Sequence, residues 1–132
     1  MSKELFWLAA TLALTLLFWF PYVLNRAVVR GLMGVFANPS AGDTPLAPWA
    51  ERAQCAHTNA IENLVLFAPA AIAVHVLQVG GSLTAFAAAL YFYSRLLHYI
   101  VYTAGIPVVR TLAFTAGWIA VAILVSRLLG LL

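Results

Sequence analysis

Charge is what this chain has least of. Only 8% of its 132 residues are Asp, Glu, Lys or Arg, against 64% hydrophobic residues. A soluble domain carries roughly 25% charged residues, and the mean hydropathy here is +0.98. A globular domain with an oversized core is therefore excluded in favour of an integral membrane protein. Cysteine is nearly absent too. Cys55 stands alone, which rules out an intrachain disulfide and a thiolate metal cluster. The chain has no Ser-His-Asp arrangement, no phosphate-binding loop and no metal-ligand spacing. The net charge of +3 is small and its basic residues are scattered, which argues against nucleic acid as a partner. No A-x-A-like cleavage site follows the first apolar stretch. Leu5 to Leu24 runs twenty residues without a charge, so it reads as a spanning helix and not as a secretory signal.

What is present is four apolar segments in one domain spanning residues 1–132. The first is Leu5 to Leu24, with Pro21 expected to kink its last turns and helix expected to continue through "NRAVVRGLMGVF". The second runs from about Asn63 to Val79. "QVGGS" breaks the chain there, since Gly80 and Gly81 favour a tight turn. The third covers Leu83 to about Ala104 and ends at "GIP", and the fourth is Thr111 to Leu132. Each approaches the ~20 residues needed to cross a bilayer, and backbone inside hydrocarbon must satisfy its own hydrogen bonds. The fold class expected is an all-α bundle of four transmembrane helices. One long polar connection, Ala37 to Arg52, contains three prolines and Asp43 and reads as an ordered or semi-ordered loop. Arg26, Arg30, Arg52, Arg95 and Arg110 all fall toward one membrane face, and only Lys3 and Arg127 toward the other. By the positive-inside rule the arginine-rich face is cytoplasmic and both termini lie on the non-cytoplasmic side.

The polar residues are not spread evenly. On a helix, Arg52, Cys55, Asn59 and Glu62 follow in steps of three, four and three and share one stripe, while His57 points elsewhere. Arg95, His98 and Tyr102 repeat that spacing on the third segment. Arg110 opens the fourth, and Arg30 lies near the end of the first. Polar groups at membrane depth face a protein interior or a wet cavity. Two stripes at one depth point to a shared cavity. Several guanidinium groups with one carboxylate suit a ligand bearing carboxylates and an amino group, and the surrounding helices offer an apolar second substrate a path from the lipid. Blander readings attach to each residue. Glu62 fits a structural ion pair with an arginine, and Arg26 and Arg30 fit interfacial anchors. Tyr102 fits an interfacial aromatic, His57 and His75 fit packing roles, and Cys55 fits a small apolar side chain.

These stretches resemble the MAPEG family, the membrane-associated proteins in eicosanoid and glutathione metabolism. "ERAQCAHTNAIENL" resembles the pattern E-R-x-x-R-A-H-x-N-x-x-E. "RLLHYIVYTAGIPVVRT" resembles R-x-x-H-x-x-x-Y followed by an arginine and a small hydroxyl residue. "RGLMGVFANP" is similar to the end of helix one in the prostaglandin E synthase branch. The likeness covers about Arg26 to Phe114, and the overall shape is nearest to short bacterial members, which implies a bacterial inner membrane. The resemblance implies a homotrimer with glutathione bound between subunits near the cytoplasmic side. By matched position, Arg30, Arg52, Asn59, Glu62, His98, Tyr102 and Arg110 bind it. Arg110 stabilises its thiolate, with Thr111 as a hydroxyl helper. An adjacent cation lowers a thiol from its usual ~8.5, and the thiolate then attacks a lipophilic electrophile or reduces a hydroperoxide. The partners implied are glutathione, a lipophilic second substrate and membrane lipid.

Two departures stand out. The family's second arginine in the helix-two pattern is Cys55 here, which removes a cation from the stripe. Cys55 on that stripe is also a candidate for a mixed disulfide with glutathione, a hypothesis that an unchanged intact mass after incubation with oxidised glutathione would refute. The acid that closely follows Asn-Pro in the synthase branch is displaced to Asp43, which speaks against prostaglandin synthesis. Three functions compete. The first is a glutathione-dependent membrane transferase or peroxidase. The second is a catalytically silent protein binding a small anion or lipid headgroup. The third is a small multidrug transporter, which generally needs an acid in the first span that Leu5 to Leu24 lacks.

Overall fold

A computed structural model describes residues 1–132 as five helices in chain order: α1 (Lys3–Leu17), α2 (Phe20–Phe36), α3 (Pro48–Val76), α4 (Ser82–Ala104) and α5 (Pro107–Leu128). Three segments are long and apolar enough to cross a membrane: Lys3–Phe36, which joins α1 and α2, then Pro48–Val76 and Pro107–Leu128. The fourth helix, α4, matches them in length at 23 residues but is diluted by Arg95, His98 and its tyrosines. The four-span expectation thus holds as three clear spans and a more polar fourth helix packed among them.

The first span departs from a simple kink at Pro21. Ser2 caps α1 by accepting the Leu5 N–H at 3.3 Å, and α1 stops at Leu17. Proline has no N–H, and its ring crowds the carbonyl four residues back, so the break falls on the turn before Pro21. That turn is held from outside. Tyr99 on α4 donates to the Phe18 carbonyl at 2.8 Å, and its ring stacks on Phe18 at 3.9 Å. A second break occurs at Gly31, whose φ of 72° lies in the left-handed region that glycine occupies without strain. No residue of α2 is buried. A straight 34-residue helix would be about 51 Å long against a hydrocarbon core of ~30 Å, so bending shortens a segment that overreaches the membrane.

Helix α3 begins at Pro48, fifteen residues before the Asn63 start read from hydropathy. Hydropathy marks where hydrocarbon begins. Helix hydrogen bonding does not stop there, and Pro48 in the first turn suits a helix start. The connection therefore shrinks to residues 37–47, and it is ordered. Asp43 accepts the Ser40 amide at 3.0 Å and the Arg30 guanidinium at 3.2 Å, while Arg30 Nε donates to the Thr44 carbonyl at 2.7 Å. The Ser40 N–H first, and the nearby Arg30 charge after it, hold the Asp43 carboxyl below its usual range. Asn25 Oδ1 accepts the Ala47 N–H at 3.0 Å, anchoring the start of α3 to α2.

Small residues let the helices approach closely. Ala50, Ala53, Ala56 and Ala60 are buried on α3, and Ala113, Gly117 and Ala120 on α5. Toward the terminal end the core is apolar: Phe67 stacks on Tyr91 at 3.8 Å, among Leu8, Val74 and Leu124. Toward the other end it turns polar, with Ser94, Arg95 and His98 buried on α4. Gly117 permits that. A Cβ there would lie 2.7 Å from Ser94 Oγ and 2.9 Å from Arg95 Nη2. Gly117→Ala is expected to destabilise the protein by about 1–3 kcal/mol, read as a lowered unfolding midpoint in detergent. An unchanged midpoint would mean that Arg95 has room to move.

Candidate functional site

The α4–α5 turn brings the arginine-rich ends together. Gly105 closes α4 with φ of 80°, its N–H bonded to the Tyr102 carbonyl at 3.0 Å and the Ile106 N–H to the Val101 carbonyl at 2.9 Å. Pro107 then starts α5, so Arg110 and Thr111 sit at the start of that helix, where the helix dipole is positive. This corrects the Thr111 start expected for the fourth helix. It is also why Arg110 shares a cavity with α4. Its guanidinium lies 4.6 Å over the Tyr102 ring, a cation–π distance.

A cavity of about 190 Å³ is lined by Asn59, His98, Tyr102, Arg110, Thr111 and Phe114. A second, of about 400 Å³, is lined by Gln54, Cys55, Thr58, Asn59, Glu62 and Tyr102. Asn59 and Tyr102 belong to both, so the two adjoin. The expected residues Asn59, Glu62, His98, Tyr102, Arg110 and Thr111 all line one or the other. Arg30 and Arg52 line neither. Arg30 is paired with Asp43. Arg52 Nε donates to the Thr103 carbonyl at 2.9 Å, resting against Gly105. His57 points off the stripe toward the first span, its Nδ1 2.8 Å from the Tyr22 hydroxyl.

Behind Asn59 lies Arg95, only 2% exposed. Its Nη1 donates to Asn59 Oδ1 at 3.2 Å. Its Nε and Nη2 have no partner, and its guanidinium sits 5.7 Å from the Tyr91 ring centre and 5.5 Å from that of Phe114. His98, 3% exposed, likewise leaves Nδ1 without a partner. The chain's one ion pair is Arg30–Asp43, so Glu62 neutralises no arginine within the chain. Arg110 thus lines the smaller cavity with no carboxylate bonded to it, and Arg95, buried behind Asn59 and against Gly117, has none either. Thr111 Oγ1 donates to the Pro107 carbonyl at 3.1 Å and must release it before donating elsewhere.

Sequence reading put Arg95 on the polar stripe but not among the binding residues. It also passed over Phe114, although Phe114 lies four residues after Arg110 and so on the same helix face. Gln54 and Thr58 were missed because their polarity is unremarkable near a helix start. No group of three or more His, Cys, Asp or Glu is placed to hold a metal.

A third cavity, of about 290 Å³, lies between α3 and α5, lined by Leu66, Trp118, Val121, Ala122 and Val125 with Asn63 and Ser126. It reaches the polar cluster through Asn63, whose Nδ2 donates to the Asn59 carbonyl at 2.8 Å. Asn63 on the apolar cavity thus contacts Asn59, which lines both polar ones.

Neither the curated proteins nor the solved structures contain a match to this chain. A family model does match, across residues 5–130, nearly the whole length and all the lining residues named above. With a helical bundle that has three segments long and apolar enough to cross a membrane, this chain belongs to the MAPEG family.

Proposed function

We propose that the protein is a glutathione-dependent membrane transferase or peroxidase acting on lipophilic electrophiles or hydroperoxides. The observation that carries this reading is Arg110, a cation with no carboxylate partner, at a cavity whose other wall is amide, imidazole and hydroxyl, with the buried, under-bonded Arg95 behind Asn59. A cation at membrane depth without a counter-charge is costly, and a carboxylate or thiolate is the chemistry that satisfies Arg110. The residues present fit glutathione: Arg110 beside the sulfur, Asn59 and Tyr102 along the backbone amides, and Glu62 for the amino group. The tripeptide would supply its thiol as the nucleophile or reductant. Arg110 at the start of α5 favours the thiolate over the thiol by charge. Arg95 holds the Asn59 side chain in one orientation, and Phe114 and Tyr102 keep water from the guanidinium groups. The apolar cavity beyond Asn63 receives the lipophilic partner.

The reading extends to assembly. Gln54, Cys55, Thr58 and Glu62 are exposed on α3, and polar groups at membrane depth call for cover. A homotrimer supplies it, with Arg30 and Arg52 reaching glutathione across a subunit boundary. The arginine-rich end faces the cytoplasm of a bacterial inner membrane. Steady-state turnover with glutathione and a lipophilic electrophile or hydroperoxide tests the activity. Absence of turnover in folded protein with both classes would leave the silent anion binder standing.

Cys55 favours that second reading, because it lines the larger cavity where the family pattern has an arginine. Cys55→Arg is expected to tighten glutathione binding by about tenfold, the worth of one charge-assisted hydrogen bond, measured by titration calorimetry in detergent. Unchanged affinity would show that the larger cavity does not hold an anionic end of the ligand.

A further inference from the structure

We propose that the opposite end of the bundle carries a second binding site, for an aminoethyl phosphate such as the headgroup of phosphatidylethanolamine. A cleft of about 640 Å³ opens there, larger than either cavity of the arginine cluster and within the ~300–1,000 Å³ typical of small-molecule sites. Its polar lining is Ser2, Lys3, Glu4, His75, Gln78 and Ser82, gathered from the start of α1, the end of α3 and the start of α4. Glu4 is 5% exposed. The Thr84 hydroxyl donates to its Oε1 at 2.6 Å, and Gly80 makes room for it, since a Cβ there would lie 3.0 Å from that oxygen. The carboxylate is held in place, yet no cation pairs with it, as the chain's one ion pair lies elsewhere. Arg127 does not compete for it. Its Nε donates to the Val79 carbonyl at 2.8 Å and its Nη1 to the Leu132 carbonyl at 2.7 Å.

The cleft therefore sets a fixed, nearly buried carboxylate against the exposed Lys3 ammonium and the exposed His75 imidazole, neither of which is paired with it. A simple anion would meet repulsion from Glu4, and a simple cation would meet Lys3. A ligand with both charges a few bonds apart satisfies the two ends together, its ammonium on Glu4 and its phosphate toward Lys3 and His75. The ammonium needs N–H donors to use a carboxylate oxygen, so a quaternary ammonium is the poorer fit. Val76, Leu77, Leu83 and Phe86 are exposed beside the cleft, and they give acyl chains an apolar surface to follow.

Native mass spectrometry of the full-length protein in detergent tests this, with dioctanoyl phosphatidylethanolamine, phosphatidylcholine and phosphatidylglycerol offered at equal concentration. One phosphatidylethanolamine retained per chain, preferred about tenfold over the other two, is the expected result. Glu4→Gln, which keeps an acceptor for Thr84, should abolish the preference over phosphatidylglycerol. Lys3→Ala combined with His75→Ala alters only exposed side chains and should weaken retention of all three lipids. Equal retention of the three by the wild type, or a preference that survives Glu4→Gln, would overturn the proposal. Displacement of the lipid by soluble O-phosphoethanolamine would assign the site to the free compound, and no displacement would assign it to the lipid.

Discussion

In Arg110→Ala, the ultraviolet difference band of a glutathione thiolate should disappear at neutral pH. A free thiol of pKa ~8.5 is only about 3% ionised at pH 7, and a neighbouring cation that brings it to ~6.5 makes it about 75% ionised. Wild-type protein titrated with glutathione should therefore show a saturable band that the alanine variant lacks almost entirely, and Arg110→Lys should recover part of it. Collapse of the fold does not explain such a loss. Arg110 is half-buried and makes no side-chain hydrogen bond or ion pair, and its cation–π contact with the Tyr102 ring at 4.6 Å is worth about 0.5–1 kcal/mol at such a site. If folded wild-type protein gives no band at millimolar glutathione, the transferase reading fails and the silent binder takes its place. Repeating the titration on Cys55→Arg would then say whether that one departure from the family pattern is responsible.

The second large effect runs in two directions at once. Arg95→Met should raise the unfolding midpoint while weakening glutathione binding by about tenfold or more. A buried guanidinium with two unpartnered nitrogens costs desolvation that its single bond to Asn59 and two aromatic faces only partly offset. Replacing buried charges by apolar groups of similar volume is commonly neutral or stabilising, by ~1–4 kcal/mol. Asn59 Oδ1 is not orphaned by the change, since Asn63 Nδ2 lies 3.4 Å away. A stabilised variant with lost binding would identify Arg95 as a cation kept for a ligand at the expense of the fold. A destabilised variant with normal binding would make it a structural residue bridging α4 and α5.

Much of this architecture is written locally. Gly105, in the left-handed region that glycine occupies without strain, and Pro107 punctuate the chain at one tight turn whatever surrounds them; at the other, Gly81 is extended and Gln78 takes the left-handed angle. The step of three and four from Arg95 to His98 to Tyr102 places them on one helix face by geometry alone, and the same holds for Cys55, Asn59 and Glu62. The alternation of oily runs and turns sets the number of apolar segments and makes them helical, since hydrocarbon leaves the backbone no other way to satisfy itself.

Other features depended on what each helix met. The first span breaks at Phe18, where Tyr99 from α4 takes up the freed carbonyl, and nothing near Phe18 in the sequence announces a partner 81 residues away. Arg52 shares a stripe with Asn59 yet turns to the Thr103 carbonyl, because Gly105 leaves a space that its guanidinium fills. Arg95 and His98 are buried while Glu62 stays exposed, although all three lie on polar stripes. Burial follows from which helix packs against the stripe, and α5 covers α4 with Ala113, Gly117 and Ala120 while the α3 face stays open. By itself the sequence determined the helices, their turns and the residues sharing each face, because backbone geometry and hydropathy act over a few residues. Only the tertiary structure decided which polar groups lost their water, because desolvation is imposed by neighbours distant in the chain.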